Sequence, residues 1–296
     1  MTEWPAIPLD VVAWFRAIFT EANRAVCERI ANVPNIRETS LDDGLIEALV
    51  PDSAPTLLPS GAIVQMDVHN IGGLRRIKRW EVADIALLVF VYRREHLVAK
   101  KVGLLQSKRL YPSNNDVSDE DEEGFRFGMN AFIGRDSQQA MAALHREYSF
   151  DEKCVYGSIK AGDPQLDRLE ELNHGFGKIV YYLLYNPPAL PITVQYPLKT
   201  RSVISKVDVG CRVVDSEDIS QALNDLKEGV TPSFKHVTEA SKASNWPLEI
   251  WAADMLLTCK VGQQFDASRD GLVASLLTRR SGPIGAALAV SVTLPD

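Results

Sequence analysis

Val11, Val12, Phe15, Ile18, Phe19, Ala22, Val26, Cys27 and Ile30 recur at the three- and four-residue spacing of one helix face, which predicts an amphipathic helix over 11–30. A second helix is expected from Thr39 or Ser40, either of which suits an N-cap; Asp42 and Asp43 favour its positive end, Leu45, Ile46 and Leu49 form its apolar face, and Pro51 closes it. Three segments of strand character follow at 62–69, 83–92 and 97–106, separated by Gly72-Gly73 with a basic run and then by Arg93 to His96. The middle segment runs Ile85-Ala86-Leu87-Leu88-Val89-Phe90-Val91 with no polar residue, so it is expected to be covered on both faces, as in the centre of an α/β sheet, and to form a hairpin with the third.

From Tyr111 to about Gly134 the chain turns polar and acidic, the pattern of a long insertion, and helical periodicity returns at 138–145. Further strands are predicted at 153–159, 178–185, 193–196, 212–214 and 287–294, and further helices at 166–172, 219–227, 248–257 and 271–277. The expected organisation is a core over 1–190 and a C-terminal α/β extension over 191–296 packed on it, with no internal repeat.

Composition narrows the classes. The 296 residues are 46% hydrophobic and 24% charged, enough to bury a sizeable core, which excludes a disordered or collagenous chain. Apolar runs are cut by charge or proline well before the roughly 18–20 residues a bilayer span needs, and Met1 to Trp14 has neither a basic start nor a small-residue cleavage site, so a cytoplasmic protein with no membrane association is expected. Cys27, Cys154, Cys211 and Cys259 are far apart, without a C-x-x-C pair, so neither a zinc knuckle nor a redox motif is written here; Cys27 and Cys259 read as small core residues of helices.

The net charge of −7 argues against nucleic-acid binding by bulk charge, yet positive charge is clustered: Arg75, Arg76, Lys78 and Arg79 form one run, and Arg93, Arg94, Lys100, Lys101, Lys108 and Arg109 follow. Such runs serve either as a local phosphate-binding face or as solvated surface. The acidic stretch Asp116 to Glu123 lacks the ligand spacing and turn glycine of a calcium loop. Gly282 and Gly285 do not sit between a strand and a helix as a nucleotide loop requires, although Arg279 and Arg280 beside them suit a phosphate.

The polar residues within the strand pattern carry the chemistry. Asp84 heads the apolar strand and Gln106-Ser107-Lys108 ends the next, so an antiparallel pairing brings Asp84, Gln106 and Lys108 to one sheet end, with Gln106 and Lys108 on one face. Glu38, just before the second helix, is positioned to approach the same end, and Asp67 and His69, late in the first strand, are weaker candidates. Carboxylates that hold Mg²⁺ and a lysine that orients water suit metal-assisted phosphodiester hydrolysis. The same [D/E/Q]-x-K string occurs at Asp151-Glu152-Lys153 and Asp225-Leu226-Lys227, but neither ends an apolar strand that follows an acid-headed one.

Glu38 with its helix, Asp84 in Glu81-Val82-Ala83-Asp84-Ile85-Ala86-Leu87-Leu88-Val89, and Gln106-Ser107-Lys108 together resemble the PD-(D/E)xK nuclease superfamily, the restriction-endonuclease-like enzymes, in the branch whose lysine motif begins with glutamine. The resemblance covers about half of the chain, roughly Ile36 to Pro187. It implies an α/β restriction-endonuclease-like core with a central mixed sheet flanked by helices, and a Mg²⁺- or Mn²⁺-dependent endonuclease acting on DNA in bacterial anti-phage defence. It further implies that Glu38, Asp84, Gln106 and Lys108 are catalytic and that Glu38, Asp84 and Gln106 are the metal ligands. Arg75, Arg76, Lys78, Arg79 and Arg109 are the expected phosphate contacts, and a sensor or motor partner, or self-association, is the expected control. Gln106 is neutral where the commonest pattern has a second carboxylate. The alternative is therefore a catalytically inactive nuclease-like subunit that binds DNA or a partner protein.

Overall fold

The computed structural model describes residues 3–71, 83–113, 146–196, 198, 200–278 and 284–295. Helix α1 (Leu9–Asn32) buries the predicted stripe from Val11 to Ile30 and packs against α2 (Glu38–Leu49) and against a short helix, Leu248–Ile250, that continues as a π-helix over Trp251–Leu257. Helix α2 begins at Glu38, with Arg37 in the N-cap position and no side-chain cap, so Thr39 and Ser40 lie inside the helix and not at its boundary.

The strands are β1 (Thr56–Leu57), β2 (Ile63–Asn70), β3 (Ala83–Arg93), β4 (His96–Arg109), β5 (Arg146–Phe150), β6 (Val180–Tyr185), β7 (Ile192–Tyr196), β8 (Arg212–Asp215), β9 (Trp246–Pro247), β10 (Gln263–Gln264) and β11 (Ile284–Leu294). All but β5 and β7 join one mixed sheet in the order β1-β2-β11-β3-β4-β6-β8-β9, with β10 also paired to β4; β5 and β7 form a separate pair. Helices lie against this sheet, which makes the molecule mixed α/β with a central mixed sheet. Strand β3 is buried from Ile85 to Val89 because both of its faces are covered, as its unbroken apolar run requires. Its hairpin with β4 pairs Arg93 with His96, and Arg94 takes φ 55° in the tight turn between them.

Three expectations change. The region after residue 190 does not form an extension packed on a finished core: β11 inserts between β2 and β3, antiparallel to one and parallel to the other, while β8 and β9 lengthen the same sheet. One hydrophobic cluster accordingly runs from Val11 to Leu294. The predicted strand at 153–159 is a turn that makes only an isolated bridge between Val155 and Ser233, because the Asp151 carboxylate accepts from the Lys153 and Cys154 backbone N–H groups and closes the chain locally. Cys259 lies past the end of the π-helix, half-buried and with φ 67°, whereas Cys27 is a core residue of α1. The helix predicted at 138–145, most of the polar insertion, and Arg75, Arg76, Lys78, Arg79, Arg279, Arg280 and Gly282 lie outside the described residues. Helix α3 (Pro164–Phe176), capped by the Asp163 side chain, matches the predicted helix and bears on the site below.

Candidate active site

Strand β4 outlasts its partner β3. The hairpin ladder reaches Ile85 with Leu105, so Asp84 faces Gln106 on the next rung, while β6 continues alongside β4 and pairs Gln106 to Arg109 with Tyr182 to Tyr185. On the β3 side of that overhang, carboxylates take the place of strand carbonyls. Asp84 Oδ2 accepts from the Ser107 backbone N–H at 2.8 Å, and Glu38 Oε2 accepts from the Arg109 backbone N–H at 2.9 Å. Alternate N–H groups on a strand point to the same edge, so two acids from separate segments are anchored side by side, about 6.6 Å apart at their backbone attachments.

Lys108 lies between these anchors in sequence and is buried, with its Nζ 3.9 Å from Glu38 Oε1. Glu38 Oε2 also accepts from the Ser158 hydroxyl at 2.9 Å. Burial holds the Glu38 carboxyl above its ordinary range; the Lys108 charge opposes this and the Asp84 charge adds to it. The four residues expected to carry the chemistry, Glu38, Asp84, Gln106 and Lys108, therefore converge at one sheet end.

A third acid joins them, Asp42, which the local pattern places only at the positive end of α2. Asp42, one turn along α2 from Glu38 and so on the same face, is buried and its Oδ1 accepts from the Tyr185 hydroxyl at 2.8 Å. Burial first, then the nearby Asp84 charge, raise its carboxyl well above the usual range. The i, i+4 spacing from Glu38 is the signal that would have found it. Gln165, the second residue of α3, was also missed: its Nε2 donates to Gln106 Oε1 at 3.1 Å. No local pattern announces a contact across that separation.

The remaining candidates are placed differently. Gln106 turns its amide nitrogen toward Asp84 Oδ2 and its oxygen toward Gln165, so its oxygen is not directed at the carboxylates as a metal ligand would be. Arg109, expected at phosphate, is only 1% exposed; its guanidinium donates to the carbonyls of Pro34 and Ile36 and stacks 4.6 Å from the Tyr111 ring, which ties the α1–α2 loop to the strand end. His69 and Asp67 sit on β2, two strands from β3 with β11 between, so they are outside the cluster. Gly285 is not part of a nucleotide loop; it lies in β11 opposite Asp84.

Among the described residues, Glu38, Asp42 and Asp84 lie close enough that the charge of one disfavours ionisation of the next, and Lys108 is paired with Glu38. Among the described residues, no three histidine, cysteine, aspartate or glutamate side chains are grouped as a metal cage. Carboxylate and amide oxygens are nonetheless the donors that hard divalent cations take. Glu38 and Asp84 could supply two such ligands, with Gln106 contributing its oxygen only if its amide turned end for end. Among the described residues no helix is long and apolar enough to cross a membrane. No family model, curated protein or solved structure matches the chain.

Proposed function

We propose that this protein is a Mg²⁺- or Mn²⁺-dependent endonuclease that hydrolyses DNA phosphodiester bonds in the cytoplasm, with a restriction-endonuclease-like core and a role in bacterial anti-phage defence. The observation that carries the reading is the convergence of Asp84, Gln106 and Lys108 with Glu38 at the overhanging end of β4. In this reading Glu38 and Asp84 hold the cation, which when bound polarises a phosphate oxygen and lowers the pKa of its water. Lys108, already paired with Glu38, orients the attacking water and offsets charge at the phosphate. The backbone N–H groups of Ser107 and Arg109 fix the two carboxylates, so that neither has to be ordered at the moment of reaction. Arg75, Arg76, Lys78 and Arg79 grip the DNA backbone, and a sensor, motor or second copy controls the activity.

The test is cleavage of plasmid and linear DNA by the purified protein with Mg²⁺, with Mn²⁺ and with chelator. Asp84→Ala and Lys108→Ala should each remain folded and lose cleavage by several orders of magnitude. Full activity in either variant removes the assignment. One observation favours a second reading, an inactive nuclease-like subunit that binds DNA or a protein: Gln106 presents its amide nitrogen, not its oxygen, to Asp84 Oδ2. Cation-independent DNA binding without cleavage would favour that alternative.

A further inference from the structure

Gln106 is a neutral amide set among the acids, and both ends of it are engaged. Its Nε2 donates to Asp84 Oδ2, and its Oε1 accepts from Gln165 Nε2 at 3.1 Å. Gln165 is held in place by its own helix start: its backbone N–H is capped by the Asp163 side chain at 2.9 Å, directly after Pro164. Asp84, Gln106 and Gln165 therefore form a chain of hydrogen bonds running from the carboxylate to a helix terminus.

A pair of primary amides can carry such a chain in either direction with the same number of bonds between them. In the direction observed, Gln165 donates, Gln106 accepts, and the Gln106 nitrogen faces Asp84. In the reverse direction Gln106 donates to the Gln165 oxygen and turns its own oxygen toward Asp84. An amide oxygen facing a carboxylate is repulsive unless a cation lies between them. The first direction thus suits the cation-free site, and the second suits the loaded one.

We infer that Gln165 is a positioning residue that sets the direction of the Gln106 amide, holding the site in a cation-free arrangement and reversing together with Gln106 when a divalent cation binds. The inference rests on the proposed reading that this site takes such a cation. Apart from the Asp163 carboxylate that caps its own helix, Gln165 touches neither Lys108 nor the carboxylates of Glu38, Asp42 and Asp84 in the contacts above, so its effect passes through Gln106.

The direction can be fixed by substitution. Gln165→Glu presents only acceptors at neutral pH, so it should hold Gln106 with its oxygen toward Asp84 and tighten Mn²⁺ binding by roughly tenfold, the scale of one hydrogen bond no longer opposed. Gln165→Asp carries the same charge on a shorter side chain that does not reach Gln106, and so measures the charge effect alone. Mn²⁺ affinity of the full chain, by electron paramagnetic resonance, is compared for the wild type and both variants. The side-chain amide ¹H–¹⁵N resonance of Gln106, assigned through Gln106→Leu, gives an independent readout. In cation-free Gln165→Glu it should already lie near its position in Mg²⁺-loaded wild type, and in cation-free Gln165→Asp it should not. Equal Mn²⁺ affinities of the Glu and Asp variants, or a Gln106 resonance that Mg²⁺ does not move, would overturn the relay while leaving the cation reading intact. Absence of Mn²⁺ binding in wild type and both variants would overturn the cation reading and the relay with it.

Discussion

Gly285 of β11 lies beside Asp84 of β3, and a Cβ on Gly285 would stand 2.8 Å from the Asp84 carbonyl oxygen. The last strand in chain order therefore sets the backbone position of the acid at the head of β3. Gly285→Ala must push the two strands apart at that rung, and because the obstacle is backbone, no side chain can move aside to accommodate it. Destabilisation of about 1–3 kcal/mol is expected, with cleavage falling further than the folded fraction does. Gly271→Ala, where nothing lies within 4 Å of the added atom, is the control and should be close to neutral. Thermal unfolding and cleavage of the two variants decide it; unchanged stability in Gly285→Ala contradicts the close approach.

Glu38→Gln keeps an acceptor for the Arg109 and Ser158 donors but removes the charge. Cleavage should be abolished, while DNA binding stays the same or becomes slightly tighter because a repelling charge has gone. Filter binding beside a nuclease assay separates the two effects. A Glu38→Gln protein that still cuts with Mg²⁺ would take Glu38 out of the cation set.

Asp42 gives a pH signature. Its folded carboxyl titrates above the ordinary 3.8 because it is buried beside other acids, so the folded state binds a proton that the unfolded state has already released. Its favourable contribution is complete below that value and is lost as pH rises through the folded pKa. Asp42→Asn can still accept from Tyr185 and carries no charge, so it should be more stable than wild type at pH 8, by a few degrees in Tm, with the difference closing as pH falls toward 4. Melting curves at four or five pH values check this; a difference that does not vary with pH would mean that Asp42 is not the titrating group.

Phosphate contact by Arg75, Arg76, Lys78 and Arg79 predicts DNA affinity that falls steeply with salt whatever the DNA sequence. Replacing one of them should reduce the slope of log affinity against log salt by about one unit. A flat salt dependence of the wild type would rule out this grip.

Much of the site was legible along the chain because it depends on short-range rules. An unbroken apolar run predicts a strand buried on both faces, a four-residue interruption predicts a hairpin, and antiparallel pairing of β3 with β4 then brings Asp84 opposite Gln106 without any tertiary information. Helical spacing likewise showed which face of α1 is buried. The tertiary structure decided what periodicity does not encode, since periodicity reports that a face is buried but not what buries it. The insertion of β11 between β2 and β3 is one case, because any apolar alternating strand is a possible partner for an open edge. Arg109 is another: read as a surface cation, it is buried because the α1–α2 loop brings the Pro34 and Ile36 carbonyls to its guanidinium. Asp42, Ser158 and Gln165 reach the site only once α2, the 151–158 turn and α3 have packed around the end of β4. Their hydrogen bonds to Tyr185, Glu38 and Gln106 close over separations of 143, 120 and 59 residues; the i, i+4 spacing puts Asp42 on the Glu38 face of α2, but no local pattern marks the partners themselves.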